Sequence, residues 1–141
     1  MQIREMDLKE LYEIYEVLKQ LRTKLSYEEF EDLVYDMRHM EYKMFGVLES
    51  GTLITYAGVA VVTSFQYKRH LYIFDLVTDE KFRLQGYAKQ MLEFLGDYAK
   101  TAMCENILFS CSNEENQKVY KKNGFCKRDT TFVKRLKHNT F

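Results

Sequence analysis

The chain has 141 residues, 46% of them hydrophobic and 30% charged, enough to build one stable core. Its 21 Lys and Arg balance its 21 Asp and Glu, so no global field draws it to nucleic acid or to an anionic membrane. Cys104, Cys111 and Cys126 show no C-x-x-C spacing and read as free thiols of a reducing cytoplasm, not as disulfides or a metal centre.

In chain order, the strand-like start at Met1-Gln-Ile-Arg leaves no room for a signal peptide, and Ile3 and Met6 flank a short first strand. Asp7 caps a helix, with Glu10 three residues on in a capping box. Leu8, Leu11, Ile14, Leu18 and Leu21 form its predicted buried stripe. Thr23 to Leu25 breaks the pattern. Ser26, with Glu29 behind it, starts a second helix whose apolar face is Tyr27, Phe30, Val34, Met37 and, at its end, Met40. The two helices carry Glu10, Glu13, Glu16, Glu28, Glu29, Glu31, Asp32 and Asp36, and for most of these a solvated face suffices.

Lys43 to Leu48 and Leu53 to Thr63 read as strands joined by a tight turn at Ser50-Gly51. The longest apolar run, Ala57 to Val62, has strand length and falls far short of a membrane span. Gly58 inside it marks a bulge or a close backbone approach. Gln66 to His70 reads as a polar turn, with His70 facing solvent. Tyr72 to Thr78 is again a strand, aromatic or mostly β-branched, with one charge, Asp75. A lone charge in such a run is expensive without a partner, so Asp75 is either functional or an edge residue satisfied by backbone donors.

Asp79-Glu80-Lys81 then leads to Arg83-Leu84-Gln85-Gly86-Tyr87-Ala88, after which Ala88, Met91, Leu92, Leu95 and Ala99 recur on one helix face. A small-residue turn between a strand end and a helix start gathers unpaired N–H groups and the positive end of a helix dipole. That suits a phosphate. It is not the phosphate loop of an ATPase, since no Gly-Lys-Ser/Thr follows. Nor is it the dinucleotide fingerprint, which needs glycines where Arg83 and Ala88 stand. Arg83 also has a plain reading, a surface ion pair with Glu80. Asn106 to Cys111 is a short strand, and Asn113 caps a helix that stops at Asn123-Gly124. Phe125 to Lys127 and Thr131 to Leu136 close the chain as a strand pair, and the tail beyond Lys137 frays. Cys111 as a nucleophile has no nearby His, and a buried strand cysteine is the commoner case.

Two of these stretches together resemble the GNAT superfamily of N-acetyltransferases. Arg83, Gly86 and Ala88 match its acyl-CoA signature, Arg/Gln-x-x-Gly-x-Gly/Ala after a strand. Asn113 to Phe125 resembles its closing motif, in which an Asn precedes a Tyr, here Tyr120, by seven residues and Gly-Phe follows; Asn116 stands where the family often has Ala. The resemblance implies an α/β (α+β) fold in a single domain over 1–141. Its central sheet would be mixed, mostly antiparallel and twisted, of about six to seven strands, flanked by four helices.

The same resemblance implies acetyl-CoA as acyl donor, with no metal. The amides of Leu84, Gln85, Gly86, Tyr87, Ala88 and Lys89 would hold the CoA pyrophosphate, with Arg83 at the start of the cradle. The pantetheine arm would pair with backbone around Val77 and be held by Asn113, and the Leu76 amide would be the oxyanion donor. Tyr120 would be the general acid; the alternative is a core aromatic beside Val119 and Phe125. Tyr72 stands where some members carry a catalytic Glu, which leaves Asp75 to remove a proton through water or to orient a cationic substrate. Lys89, Lys118, Lys121 and Lys122 are candidates for the 3′-phosphate, each equally readable as a solvated lysine. The acceptor groove would be an acidic opening lined by Tyr27 and Tyr35, taking a primary amine of a small molecule. A protein or peptide acetyltransferase and a non-catalytic acyl-CoA-binding module stay open beside it. No nucleic-acid or membrane partner is expected, and a homodimer is left open.

Overall fold

The computed structural model describes residues 1–110, 114–127 and 131–136 and, for 114–116, the backbone alone. Two compact units emerge, Met1–Cys111 and Ser112–Phe141. In the first, five strands lie side by side in chain order: β1 (Gln2–Glu5), β2 (Lys43–Glu49), β3 (Thr52–Ser64), β4 (Lys68–Thr78) and β5 (Asn106–Phe109). Neighbours pair antiparallel except β4 and β5, which are parallel. The strand count among the described residues is thus lower than expected. Residues 125–127 and 131–136, read from the sequence as a closing strand pair, form no ladder. Phe132 and Val133 there are 92% and 79% exposed.

The helices begin where their caps predict. At Asp7 the carboxylate accepts from the Lys9 N–H (2.8 Å), while Glu10 accepts from the Asp7 N–H (3.1 Å). Glu10 also takes both terminal nitrogens of Arg4 at 2.9 and 2.7 Å, which holds its carboxyl below the usual range. This box opens a 3-10 turn at Leu8–Glu10, and only then does α1 (Leu11–Leu18) begin. Of the apolar stripe, the part inside α1 is buried and the two ends outside it are not. Leu11, Ile14, Val17 and Leu18 are buried, whereas Leu8 and Leu21, expected inside, are exposed. Ser26 caps α2 (Tyr27–Met37) through the Glu29 N–H at 3.1 Å, and its Phe30 and Val34 are buried while Met40 beyond it is exposed.

One apolar cluster joins Leu11, Ile14, Val17 and Leu18 of α1 and Phe30 and Val34 of α2 to Met44, Leu48, Leu53, Tyr56 and Val77 of the sheet. Elsewhere on the sheet Phe45 packs edge-on against Phe94 and Tyr98 of α3 (Tyr87–Thr101), whose Met91, Leu92, Leu95 and Ala99 are buried. In the second unit α4 (Glu114–Lys122) ends as predicted. Gly124 takes φ +91°, and the N–H groups of Asn123 and Phe125 both return to the Tyr120 carbonyl at 3.0 Å. No helix of the described residues is long and apolar enough to cross a membrane.

The β3–β4 hairpin is tighter than the polar turn read from the sequence. β4 already starts at Lys68, and His70 is buried (4% exposed) with its Nδ1 2.9 Å from the Lys68 carbonyl oxygen. Strands flank it on both sides, through Val62 and Asn106, which is why a residue read as a turn histidine is covered. Further along, Gly58 pairs with Asp75 but Val59 pairs with Ile73, leaving Phe74 as an extra residue: a β-bulge.

Candidate active site

β4 has two neighbours only as far as Ile73, where the β5 ladder ends at Phe109. From Phe74 to Thr78 the described residues give it β3 on one side and no strand on the other. The direction of each backbone group there follows from pairing parity. The Asp79 N–H donates to the Ile54 carbonyl at 2.8 Å. Hydrogen-bonded pairs alternate along an antiparallel ladder, so Tyr56–Val77 is bonded and Thr55–Thr78 and Ala57–Leu76 are not. The side chains agree, because Thr55 and Thr78, at a close non-bonded pair, join their hydroxyls at 2.9 Å. The N–H and C=O groups of Leu76 and Thr78 therefore face the open edge. Val77 spends its own backbone on Tyr56, so the groups that face the open edge are those of its two neighbours.

Beyond this edge the chain turns through a 3-10 segment, Glu80–Phe82, capped by Asp79 through the Lys81 N–H at 3.0 Å. Arg83 makes no ion pair with Glu80; its Nε donates to the outward Thr78 carbonyl at 3.2 Å. Its Nη atoms have no partner among the described residues. Leu84 takes φ +64° and is fully exposed, and Gly86 takes φ +87°. Gly86 is the residue before α3, and no side chain caps the helix there. The first N–H groups of α3, on Tyr87, Ala88 and Lys89, lack intrahelical partners, as at any helix start. A Cβ at Gly86 would meet nothing within 4 Å, so it is the positive φ and not crowding that calls for glycine. An open strand edge running into an uncapped helix start fits an extended arm that ends in a phosphate.

On the helix side of the same bulge lies a polar cluster. Arg22, in the connector after α1, reaches Asp75 with Nε and Nη2, both on Oδ1, at 2.7 and 2.6 Å. Its Nη2 also donates to the Phe74 carbonyl at 3.3 Å. Asp75 thus has the partner its apolar strand demands, though a guanidinium and not backbone donors. Beside it the hydroxyls of Tyr42 and Tyr56 meet at 2.6 Å directly over Gly58, where a Cβ would overlap the Tyr42 oxygen. Gly58 is therefore both a close approach and a member of the bulge. Burial pushes both phenols well above the ordinary tyrosine range, with Asp75 adding to the effect. Phe74 stacks edge-on between Tyr42 (5.7 Å) and Tyr72 (4.7 Å), and the Tyr72 hydroxyl lies 2.9 Å from the Ser110 hydroxyl.

The remaining predicted residues are placed less tightly. Tyr27 sits in an aromatic cluster with Tyr12, Tyr15 and Phe30, its phenol raised first by burial and then by Glu31. Tyr35 is half exposed under the Arg38 guanidinium. Tyr120 belongs to the second unit, where its ring lies 6.2 Å from that of Phe125. Asn113 and Cys111 lie outside the described residues. Lys89, Lys118, Lys121 and Lys122 are all exposed. No three of the His, Cys, Asp and Glu side chains among the described residues group as a metal site. Arg22, Tyr42 and Thr78 went unread in the sequence. Thr78 alone had a signal, since period two from Leu76 reaches it.

The GNAT acetyltransferase family model matches residues 8–125, and the chain belongs to that family. An uncharacterized N-acetyltransferase of Bacillus subtilis (strain 168) is 31% identical over 91 residues, 64% of this chain and 64% of that protein. Among solved structures, glucosamine-6-phosphate N-acetyltransferase from Arabidopsis thaliana superposes with a TM-score of 0.78 at 23% identity, over 96% of this chain and 98% of that one. An aminoglycoside N-acetyltransferase in complex with CoA gives 0.80 at 19% identity, over 96% and 93%. At these identities the two structures speak for the fold.

Proposed function

We propose that this protein transfers the acetyl group of acetyl-CoA to a primary amine of a small molecule, by direct attack in a ternary complex and with 1–141 acting as one domain. The observation that carries this reading is the run of outward backbone groups at Leu76 and Thr78, ending at the uncapped start of α3 behind Gly86. Pantetheine pairs with that edge as an added strand, and the pyrophosphate takes the amides from Leu84 to Lys89 with Arg83 beside them. The neutral amine attacks the thioester carbonyl, and the Leu76 N–H receives the oxyanion. Such a donor is worth about 10²–10³ in rate. The intermediate collapses by breaking the C–S bond, the amine nitrogen loses its extra proton to water, and the thiolate takes one from Tyr120. The Tyr120 role rests on the Asn113–Tyr120–Gly124–Phe125 motif. Asp75, already paired with Arg22, orients the amine through its second oxygen, Oδ2, instead of serving as a strong base.

Release of free thiol from acetyl-CoA over a broad panel of amines and peptides tests the reaction. Binding without release on any acceptor would leave an acyl-CoA-binding module, and release on peptides alone would move the acceptor to proteins. Tyr120→Phe keeps the ring and removes the proton, so turnover should fall by roughly 10²–10⁴ at unchanged acetyl-CoA affinity and melting temperature. Wild-type turnover in that variant would return Tyr120 to a packing role beside Phe125.

A further inference from the structure

The Arg22–Asp75 contact has an unusual form for a structural bridge. A guanidinium that serves only to pin a connector to a sheet gains most by laying its fork across both carboxylate oxygens. Here Nε and Nη2 converge on Oδ1, and Nη2 is shared further with the Phe74 carbonyl. Two groups are left over side by side, Arg22 Nη1 with its two N–H donors and Asp75 Oδ2 with its lone pairs. Neither has a partner among the described residues. Among the described residues that are not exposed, no side-chain oxygen or nitrogen is both buried and unsatisfied, so Asp75 Oδ2 reaches solvent from an aspartate 13% exposed, and Arg22 Nη1 belongs to an arginine side chain 52% exposed. The pair stands one peptide from the Leu76 N–H that faces the open edge of β4.

From this arrangement we infer that Arg22 and Asp75 together form the acceptor-recognition site, selecting a primary amine that carries an anionic group a few bonds away. The amine binds as an ammonium that donates to Asp75 Oδ2 and passes one proton to water before it attacks, and the carboxylate or phosphate of the same molecule accepts from Arg22 Nη1. The inference rests on the acetyltransferase reading and names its substrate class. A purely cationic amine is the poorer match, because the guanidinium already neutralises the aspartate and repels a second positive charge. The aromatic surround of Tyr42, Phe74 and Tyr72 lowers the local dielectric, which strengthens both charge-assisted bonds. The acidic faces of α1 and α2 are then a solvated surface.

The test is a set of primary amines in matched pairs that differ only in an anionic group, such as O-phosphoethanolamine with ethanolamine and β-alanine with β-alaninamide, extended to longer homologues and including putrescine. Thiol release from acetyl-CoA gives kcat/KM for each. The anionic member should be favoured by about ten-fold or more, the worth of one hydrogen bond to a charged group. In Arg22→Gln that ratio should fall to near one, carried by KM and not kcat, and Arg22→Lys should recover part of it. Equal rates within pairs, preference for putrescine, or a ratio that survives in Arg22→Gln would each overturn the inference while leaving the transferase intact. Acetyl-CoA binding without thiol release on any amine would instead remove the transferase reading, and this inference with it.

Discussion

From His70 to Ile73, β4 lies between β3 and β5, and Leu71 and Ile73 are almost wholly buried there. From Phe74 to Thr78, among the described residues, the same strand keeps β3 alone, carries the bulge and the Asp75 charge, and turns two sets of backbone groups to an edge without a partner strand. Both halves have similar aromatic and branched composition. What separates them is the number of neighbours, and with it the job: the first half holds the sheet together, and the second offers hydrogen bonds to something else. An open edge is a liability for aggregation unless it is short or covered. Here it is five residues long and framed by a bulge at one end and the Gly86 turn at the other.

The contrast breaks most completely at the turn. Gly86→Glu puts a like charge where the pyrophosphate is proposed to sit, which costs several kcal/mol, so acetyl-CoA affinity measured by calorimetry should drop about 100-fold or more. Gly86→Ala is the companion variant. It carries only the strain of a left-handed residue, about 1–2 kcal/mol, and should bind far better than the glutamate. Equal affinity of Gly86→Glu and wild type would place the phosphates elsewhere.

A smaller effect comes from the bulge. Gly58→Ala drives a methyl into the Tyr42 hydroxyl, and the overpacking should cost about 1–3 kcal/mol in denaturant unfolding. Pairing it with Tyr42→Phe, which removes that oxygen, should return part of the loss; no recovery would mean that the clash is relieved by backbone movement. The gentlest test leaves the protein unchanged. Amide hydrogen exchange should be slow from Leu71 to Ile73 and faster at Leu76 and Thr78, with acetyl-CoA slowing the latter pair by about ten-fold or more. Uniform protection along β4 in the free protein would erase the difference between its halves.

Much of the framework was legible because it is local. The Asp7–Glu10 and Ser26–Glu29 caps, the glycine turn before α3 and the Asn123-Gly124 stop each depend on residues within a few positions, and each stands where its pattern put it. The candidate site was less legible because it is assembled across the chain. Arg22 meets Asp75 across 53 residues, and Tyr42 meets Tyr56 across a strand pair, with no spacing rule to announce either. His70 looked like a turn residue because its type is polar, yet two flanking strands bury it. The bulge at Phe74 is marked by no glycine or proline in β4 itself; its sign, Gly58, stands on the partner strand.

That extra residue, left out of the ladder, sets the phase of the strand beyond it. If β4 ran past Gly58 in simple register, Phe74 would face Gly58 and Leu76 would face Tyr56. Every group downstream would rotate by half a turn. The amides of Leu76 and Thr78 would be consumed by β3, those of Asp75 and Val77 would line the free edge, and the aspartate would be thrust into the oily layer under α3. Phe74 therefore works like an inserted letter in a reading frame. Pairing it into the ladder would turn the strand's second half inside out, whereas deleting it would leave Asp75 opposite Gly58 and every later pair as it is.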